Sequence, residues 1–162
     1  MNKQKIQIRT CKPGELSYIS YLHCLVYEKE YDFDHTFEYY LLDAMAEYLK
    51  GSESKGNVWV VDNDGTVGGS IAIVEKEGNT AQLRWFILTP ELRSLGLGKK
   101  LMETALEYCR AKKYDKVFLW TVAHLEAARH LYEQYGFSKM EEIAHSIWGQ
   151  DIVEERWDLD LK

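Results

Sequence analysis

The chain predicts a mixed α/β fold: a mainly antiparallel central sheet flanked by helices, in the order β-α-α-β-β-β-α-β-α-β-β. Three features lead to it. Tight hairpin signals at Asp62-Asn63-Asp64-Gly65 and Lys76-Glu77-Gly78-Asn79 join the apolar runs Val58–Val61, Val67–Val74 and Ala81–Leu88 into an antiparallel meander. The third run passes through a glycine turn into an amphipathic helix and a further apolar strand, a unit that is parallel and right-handed by rule. Two helical stripes precede the meander.

Taken in order, Lys5-Ile6-Gln7-Ile8-Arg9 alternates like a strand and Lys12-Pro13-Gly14-Glu15 punctuates it. Leu16, Ile19, His23, Val26, Tyr27 and Glu30 keep helical spacing, as do Phe37, Tyr40, Leu41, Ala44, Met45, Tyr48 and Leu49 before Gly51. The acidic and aromatic stretch Glu28–Asp34 separates the two. After the glycine turn, Leu97, Leu101, Ala105, Leu106, Tyr108 and Cys109 form a stripe, and Val117–Val122 reads as a buried strand. Leu125, Ala128, Leu131, Tyr132 and Tyr135 make a short helix that Gly136 ends, because glycine tolerates the positive φ of a helix terminus. Phe137–Ala144 and Val153–Leu161 close the sheet, with Val153, Glu155, Trp157, Leu159 and Leu161 on one side.

Size and composition narrow the classes. The 162 residues, 46% apolar, suit a single domain spanning 1–162 with a substantial core. With no run of ~18 apolar residues and a polar start at Met1–Lys5, the expectation is a cytoplasmic protein without a membrane partner. Cys11, Cys24 and Cys109 are odd in number and widely spaced, which supports neither a disulfide framework nor a zinc site. His124 and His130, six apart on one helix, face different ways, so no metal is expected. A net charge of −6 disfavours nucleic acid.

The run Leu88-Thr89-Pro90-Glu91-Leu92-Arg93-Ser94-Leu95-Gly96-Leu97-Gly98-Lys99-Lys100 carries the most chemistry. A helix start offers unpartnered N–H groups and a positive dipole end, which together hold a phosphate without bulk positive charge, and Gly96 and Gly98 let backbone approach a ligand. Other phosphate loops fail on spacing: a Walker A loop needs glycine where Arg93 stands and Ser or Thr at Lys100, and a dinucleotide fingerprint needs glycine at Leu101.

Arg93-x-x-Gly96-x-Gly98 resembles the coenzyme A pyrophosphate loop of the GCN5-related N-acetyltransferases, the GNAT family, and Leu131-Tyr132-Glu133-x-x-Gly136-Phe137 is similar to a second family segment. The resemblance is specific over about residues 79–140. The tail His145–Arg156 is also similar to acetyltransferase domains fused behind MarR-type regulators, although no winged-helix segment precedes it here. The resemblance implies acetyl-CoA as co-substrate, bound by Phe86, Ile87, Leu88, Arg93, Ser94, Leu95, Gly96, Leu97, Gly98 and Lys99. It further implies that the strand before the loop splays from its neighbour, making Leu88 N–H the candidate oxyanion donor, and that Tyr132 lies near the coenzyme sulfur as candidate acid. Two residues depart from the family pattern: Leu125 where Asn often contacts the pantetheine, and Ser94 where Gly is common.

A phenol of pKa ~10 can donate to a departing thiolate as charge develops. The base stays open among Glu28, Glu30, Asp32, Asp34, Glu75 and Glu126. For the acceptor, the aromatic and acidic region of Tyr27, Tyr31 and Phe33, together with Arg84 and Trp148, suits a small amine. Arg84 either clamps an acceptor carboxylate or is a plain strand-face cation. The reading is therefore an acetyl-CoA-dependent N-acetyltransferase of a small amine, with an amino-acid-like amine as the candidate acceptor. Its rivals are a non-catalytic coenzyme-sensing module and a protein N-terminal or lysine acetyltransferase; a homodimer is left open.

Overall fold

The computed structural model describes residues 5–51 and 55–162. The reading of the polar start at Met1–Lys5 therefore falls outside the described residues for its first four positions. The elements are β1 (Ile6–Thr10), α1 (Glu15–Tyr31), α2 (His35–Lys50), β2 (Gly56–Asn63), β3 (Thr66–Lys76), β4 (Thr80–Leu88), α3 (Leu97–Ala111), β5 (Lys116–Val122), α4 (Glu126–Gln134), β6 (Ser138–Ile147) and β7 (Gln150–Asp160), with a 3₁₀ turn at Pro90–Leu92. They form one seven-stranded sheet in the order β1-β2-β3-β4-β5-β7-β6. All neighbours are antiparallel except β4 and β5. The order read from the sequence holds.

Some boundaries differ. The stretch Glu28–Asp34 is not all linker, since α1 continues through Tyr31 and is closed by Asp32 in the left-handed conformation, φ 59°. His124 precedes α4 rather than belonging to it. The closing strands are longer than their apolar runs and meet in a two-residue turn at Trp148 and Gly149, φ 56° and 79°. Two successive positive φ values match the twist of a hairpin. In β7, Glu155 and Trp157 are buried on one face as expected, while Val153 on that face is exposed.

Both faces of the sheet are covered, which gives two cores. One packs Ile71, Ile73, Leu83, Val117, Leu119 and Trp157 against the α3 stripe; the other packs Val58, Val60, Ala72 and Ile152 against Leu16, Ile19, Leu41 and Met45 of α1 and α2. Alternation along β4 breaks once. Ala81 and Leu83 face α3, then Trp85 joins the opposite core, and Phe86 and Leu88 face α3 again. The cause is a β-bulge: Ala72 pairs with Arg84 but Ser70 pairs with Ile87, so β4 carries one extra residue. Trp85 absorbs it at φ 48°, a conformation costly for a bulky residue, and the Ser70 hydroxyl donates to its carbonyl at 2.6 Å.

The sheet opens just before the bulge. β4 and β5 pair only from Thr80–Gln82 to Lys116–Phe118, so Arg84 to Leu88 lose their partner on that side. On the remaining elements, Gly136 takes φ 90° after α4, and Phe137 N–H returns to the Tyr132 carbonyl.

At the far edge, Arg9 of β1 links Glu15 at the start of α1 (2.7 Å) to Asp62 of β2 (3.0 Å), with all three side chains largely covered. The guanidinium lowers both carboxyl pKa values. A carboxylate depressed in the folded state stabilises above its unfolded pKa of about 4.3 and loses that contribution as pH falls through the folded value. Arg9→Gln is therefore expected to lower the melting temperature at pH 7, with the gap to the parent closing below about pH 3. Thermal melts across pH 2.5 to 7 check this; a pH-independent gap contradicts it.

Candidate functional site

The opening between β4 and β5 is the site's first component. Thr89 N–H donates to the Gly68 carbonyl of β3 at 2.8 Å. Across one peptide bond the carbonyl points opposite to the N–H, and in a strand a residue's own N–H and carbonyl share an edge, so the Leu88 carbonyl and N–H both turn away from β3 and into the opening. The carbonyl is engaged there, accepting from Arg93 Nε at 3.2 Å. A groove of about 290 Å³ follows this edge, bounded by Phe86, Ile87 and Leu88 on one side and by Leu125, Ala128 and Leu131 of the α4 segment on the other.

The groove ends at the start of α3. Gly96 precedes the helix at φ 79° and Ser94 stands at φ 65°. Lys100 N–H is bonded to the Gly96 carbonyl at 3.2 Å, so the first helical amides, Leu97 to Lys99, precede the helix's own ladder. The two glycines serve different ends. At Gly96 a Cβ would meet nothing within 4 Å, so the positive φ is the requirement. At Gly98 a Cβ would stand 3.7 Å from Leu131 and 3.8 Å from Leu88 and Phe86, filling the groove floor. Leu97 is buried in the core, whereas Leu95, Lys99 and Lys100 are exposed.

Arg93 is not a free cation. Its guanidinium makes a forked pair with Glu30 of α1, at 2.7 and 3.3 Å, besides its bond to Leu88. It straps the end of α1 to the end of β4.

A second cavity, about 130 Å³, opens from the same splay toward α1 and α2 and shares Tyr27, Phe86, Leu125 and Ala128 with the groove. Its wall is aromatic. Trp148 packs on Phe33, Phe37 and Tyr40 at 5.2, 5.1 and 5.2 Å, carried there by the β6–β7 turn, whose Trp148 carbonyl accepts from Asp34 N–H at 3.0 Å. Arg84 reaches in from β4, its guanidinium 5.8 Å from the Tyr40 ring and 5.4 Å from the Trp85 ring, donating to Tyr40 Oη at 3.2 Å. It has no carboxylate partner among the described residues.

A family model described as the acetyltransferase (GNAT) family matches residues 20–137, most of the chain. The chain belongs to the GNAT family. It is 36% identical over 86 residues, 51% of its length, to an uncharacterized N-acetyltransferase of Escherichia coli K12, and 30% identical over 125 residues, 76% of its length, to an N-acetylaspartate synthetase of Danio rerio. It spans about half or less of these relatives, 52% and 40%. In fold it is similar to a GNAT acetyltransferase of Staphylococcus aureus Mu50, with TM-score 0.80 at 20% identity over 98% of this chain and 100% of the other. A Salmonella typhimurium protein solved with its cofactor acetyl-CoA gives 0.74 at 16% identity, over 98% and 95%. GNAT acetyltransferases use acetyl-CoA as donor.

Of the residues singled out in the sequence of this GNAT chain, Phe86, Ile87, Leu88, Arg93 and Gly98 border the groove, and Tyr27, Phe33, Arg84 and Trp148 border the second cavity. Tyr31 belongs to the groove instead, 4.7 Å from the His124 ring. Tyr132 is buried in the wall of the second cavity, its ring 6.4 Å from that of Phe86, which borders both spaces, and burial, with the Tyr27 phenol adding to it, pushes its hydroxyl above the usual phenol range. None of the six carboxylates considered as base lines the second cavity. Glu30 is paired with Arg93, Asp34 caps α2 through Thr36 N–H, and Glu75 accepts from Tyr114. The carboxylate that does line it is Glu154, which sequence reasoning missed although strand alternation from Glu155 and Trp157 puts it on the opposite face. Leu125, at the position that departs from the family Asn, begins α4 without a side-chain cap. The helix is held instead by Arg129, which pairs with buried Glu155 at 2.9 Å.

The geometry assigns Gly98 to space and Ser94 to strain. Gly98→Val is expected to weaken acetyl-CoA binding by about tenfold or more, about 1.4 kcal/mol, against less than about threefold for Lys100→Ala. Calorimetry with acetyl-CoA checks this, and equal losses contradict it. Ser94→Gly relieves a left-handed non-glycine residue and is expected to stabilise by about 1 kcal/mol in denaturant melts; a loss of stability contradicts that.

Proposed function

We propose that this chain is an acetyl-CoA-dependent N-acetyltransferase of a small amine, one that bears a carboxylate, acting as a cytoplasmic single-domain enzyme. The observation that carries the reading is the Leu88 N–H turned into an opening that joins a helix-start anion site to an aromatic cavity holding an unpaired arginine. The residues fit the donor: the orphan amides at Leu97–Lys99 and the loop Arg93–Gly96 accommodate phosphates through backbone, and the open edge at Phe86–Leu88 accommodates an extended amide-bearing arm.

When bound, acetyl-CoA supplies a thioester whose acetyl carbon bonds to a neutral amine as the carbon–sulfur bond breaks. Leu88 N–H donates to the acetyl oxygen, where negative charge grows; a donor preorganised in a water-poor cleft needs no reorientation at that moment. Tyr132 holds its proton at neutral pH because burial disfavours the phenolate, so its hydroxyl donates to the sulfur. The same shift makes it a reluctant acid, and its role is to stabilise the departing sulfur's charge through a hydrogen bond, with the proton finally drawn from solvent. Arg84 pairs the acceptor carboxylate, and Trp148, Phe33 and Tyr27 enclose its body.

A walled cavity favours a small molecule over a protein terminus or lysine. The name N-acetylaspartate of one relative, an N-acetylated amino acid, supports an acceptor with a carboxylate. Thiol release from acetyl-CoA across paired amino acids and their decarboxylated amines tests the reading.

Two variants follow. Tyr132→Phe is expected to lower kcat by about ten- to a hundredfold with the acetyl-CoA Kd within about twofold, since its hydroxyl acts on charge absent from the ground state; parental kcat contradicts the role. Arg84→Ala is expected to raise KM for amino acids by about tenfold or more and leave the simple amines unchanged. A uniform effect contradicts the clamp.

A further inference from the structure

The second cavity is lined by one cationic side chain from β4 and one carboxylate from β7, Arg84 and Glu154. They are not paired with each other: Arg84 donates to Tyr40 Oη and Glu154 meets His145, so neither charge neutralises the other. We infer that Glu154, oriented by His145, is the ammonium anchor and proton acceptor for the acetyl acceptor, so that the cavity recognises both charges of a zwitterionic amino acid. The inference rests on the acetyltransferase reading above.

Placement comes from register. Glu154 pairs with Val122 at the end of β5. Counting on from Gln82 and Phe118, Val122 is four residues further along β5, which with the extra residue of the β4 bulge corresponds to Ile87, past Arg84 toward Leu88. Glu154 thus lies nearer the thioester end of the opening than Arg84, the end at which an amine has to present its nitrogen. On the same face, His145 Nε2 lies 3.1 Å from Glu154 Oε1. A carboxylate accepts, so Nε2 carries the proton and Oε1 is occupied. Oε2 is left to take a proton from the ammonium. Glu154 is 17% exposed and His145 33%, so the pair runs from the cavity wall toward solvent.

Other groups around the cavity are unsuited to the task. His23 has its Nδ1 on the Ile19 carbonyl and is pushed down to about 4 by burial, leaving it neutral. Tyr27 and Tyr132 are held neutral by burial, and the Tyr40 hydroxyl accepts from Arg84. On β7 the neighbouring Arg156 is committed to Asp158 at 2.8 Å. Burial raises the Glu154 pKa, with His145 opposing, which brings its proton affinity closer to that of an amine.

The step balances simply. The ammonium yields one proton to Glu154 Oε2, and the freed lone pair bonds to the acetyl carbon as its bond to sulfur breaks. Nitrogen releases a second proton to solvent as the amide forms while solvent supplies one to the departing thiolate, and Glu154 returns its own proton to solvent. His145 is a positioning residue throughout.

Steady-state kinetics on the amino acid and amine panel, with calorimetry for acetyl-CoA, test this. Glu154→Gln is expected to lower kcat/KM about 100-fold for amino acids and to flatten the rising limb of its pH profile, with the acetyl-CoA Kd unchanged. His145→Ala is expected to lose about tenfold, and His145→Gln, which keeps an N–H donor, to recover most of it. Should Glu154→Gln fail to fold, Glu154→Asp, with its charge one methylene back, is expected to retain the pH limb while losing kcat. A Glu154→Gln variant, or failing it a Glu154→Asp variant, with parental kcat/KM and pH profile overturns the inference and leaves the acetyltransferase reading standing. A parent that binds acetyl-CoA and acetylates no member of the panel overturns both.

Discussion

The extra residue in β4 is the constraint on which the rest of the molecule depends. With Trp85 at φ 48° and its carbonyl held by Ser70 at 2.6 Å, the strand changes phase within one residue. That shift sends the indole into the core under α1 and α2, turns Phe86 and Leu88 toward α3, and accompanies the parting of β4 from β5. A left-handed tryptophan costs on the order of 1–3 kcal/mol, and the two cores on either face of the sheet outweigh that cost. The strain lies beside the open edge, where a regular ladder would have consumed the backbone donors that a ligand needs.

Charge is used sparingly around this opening. The chain carries a net −6, yet the anion site proposed at the start of α3 needs no cationic cluster, because unpartnered amides there provide the attraction. The cation at the loop's entrance, Arg93, is neutralised by Glu30 and works as a strap between α1 and β4. Arg84 has no carboxylate partner among the described residues, and that contrast with Arg93 is what supports the recognition role proposed for it. Burial keeps His23, Tyr27 and Tyr132 uncharged, which leaves Arg84 and Glu154 as the charged groups lining the cavity.

Much of this was legible in the sequence because the signals are local. Alternation and the turns at Asp64-Gly65 and Gly78-Asn79 placed the meander, and the glycine pattern after Leu88 placed the α3 start. What was not legible depends on tertiary geometry. Nothing in Arg84-Trp85-Phe86 marks a bulge, since the left-handed residue is a tryptophan and not a glycine. Trp148-Gly149 lacks the usual Asn or Asp of a tight turn, which hid the length of β6 and β7. The pairing of Arg93 with Glu30 was not legible, because the two are 63 residues apart in sequence. Glu154 was passed over in favour of the richer acidic run near Tyr31, although period-two alternation placed it on the cavity face.

In the proposed complex Leu88 N–H faces the donor, while Thr89 N–H is spent on β3. Amide hydrogen exchange and chemical shifts, followed residue by residue by NMR with and without saturating acetyl-CoA, test it most directly. Leu88 is expected to exchange fast in the free protein and to become protected and shifted on binding, with Thr89 protected in both states. Saturable binding of acetyl-CoA with no change at the Leu88 amide would contradict it.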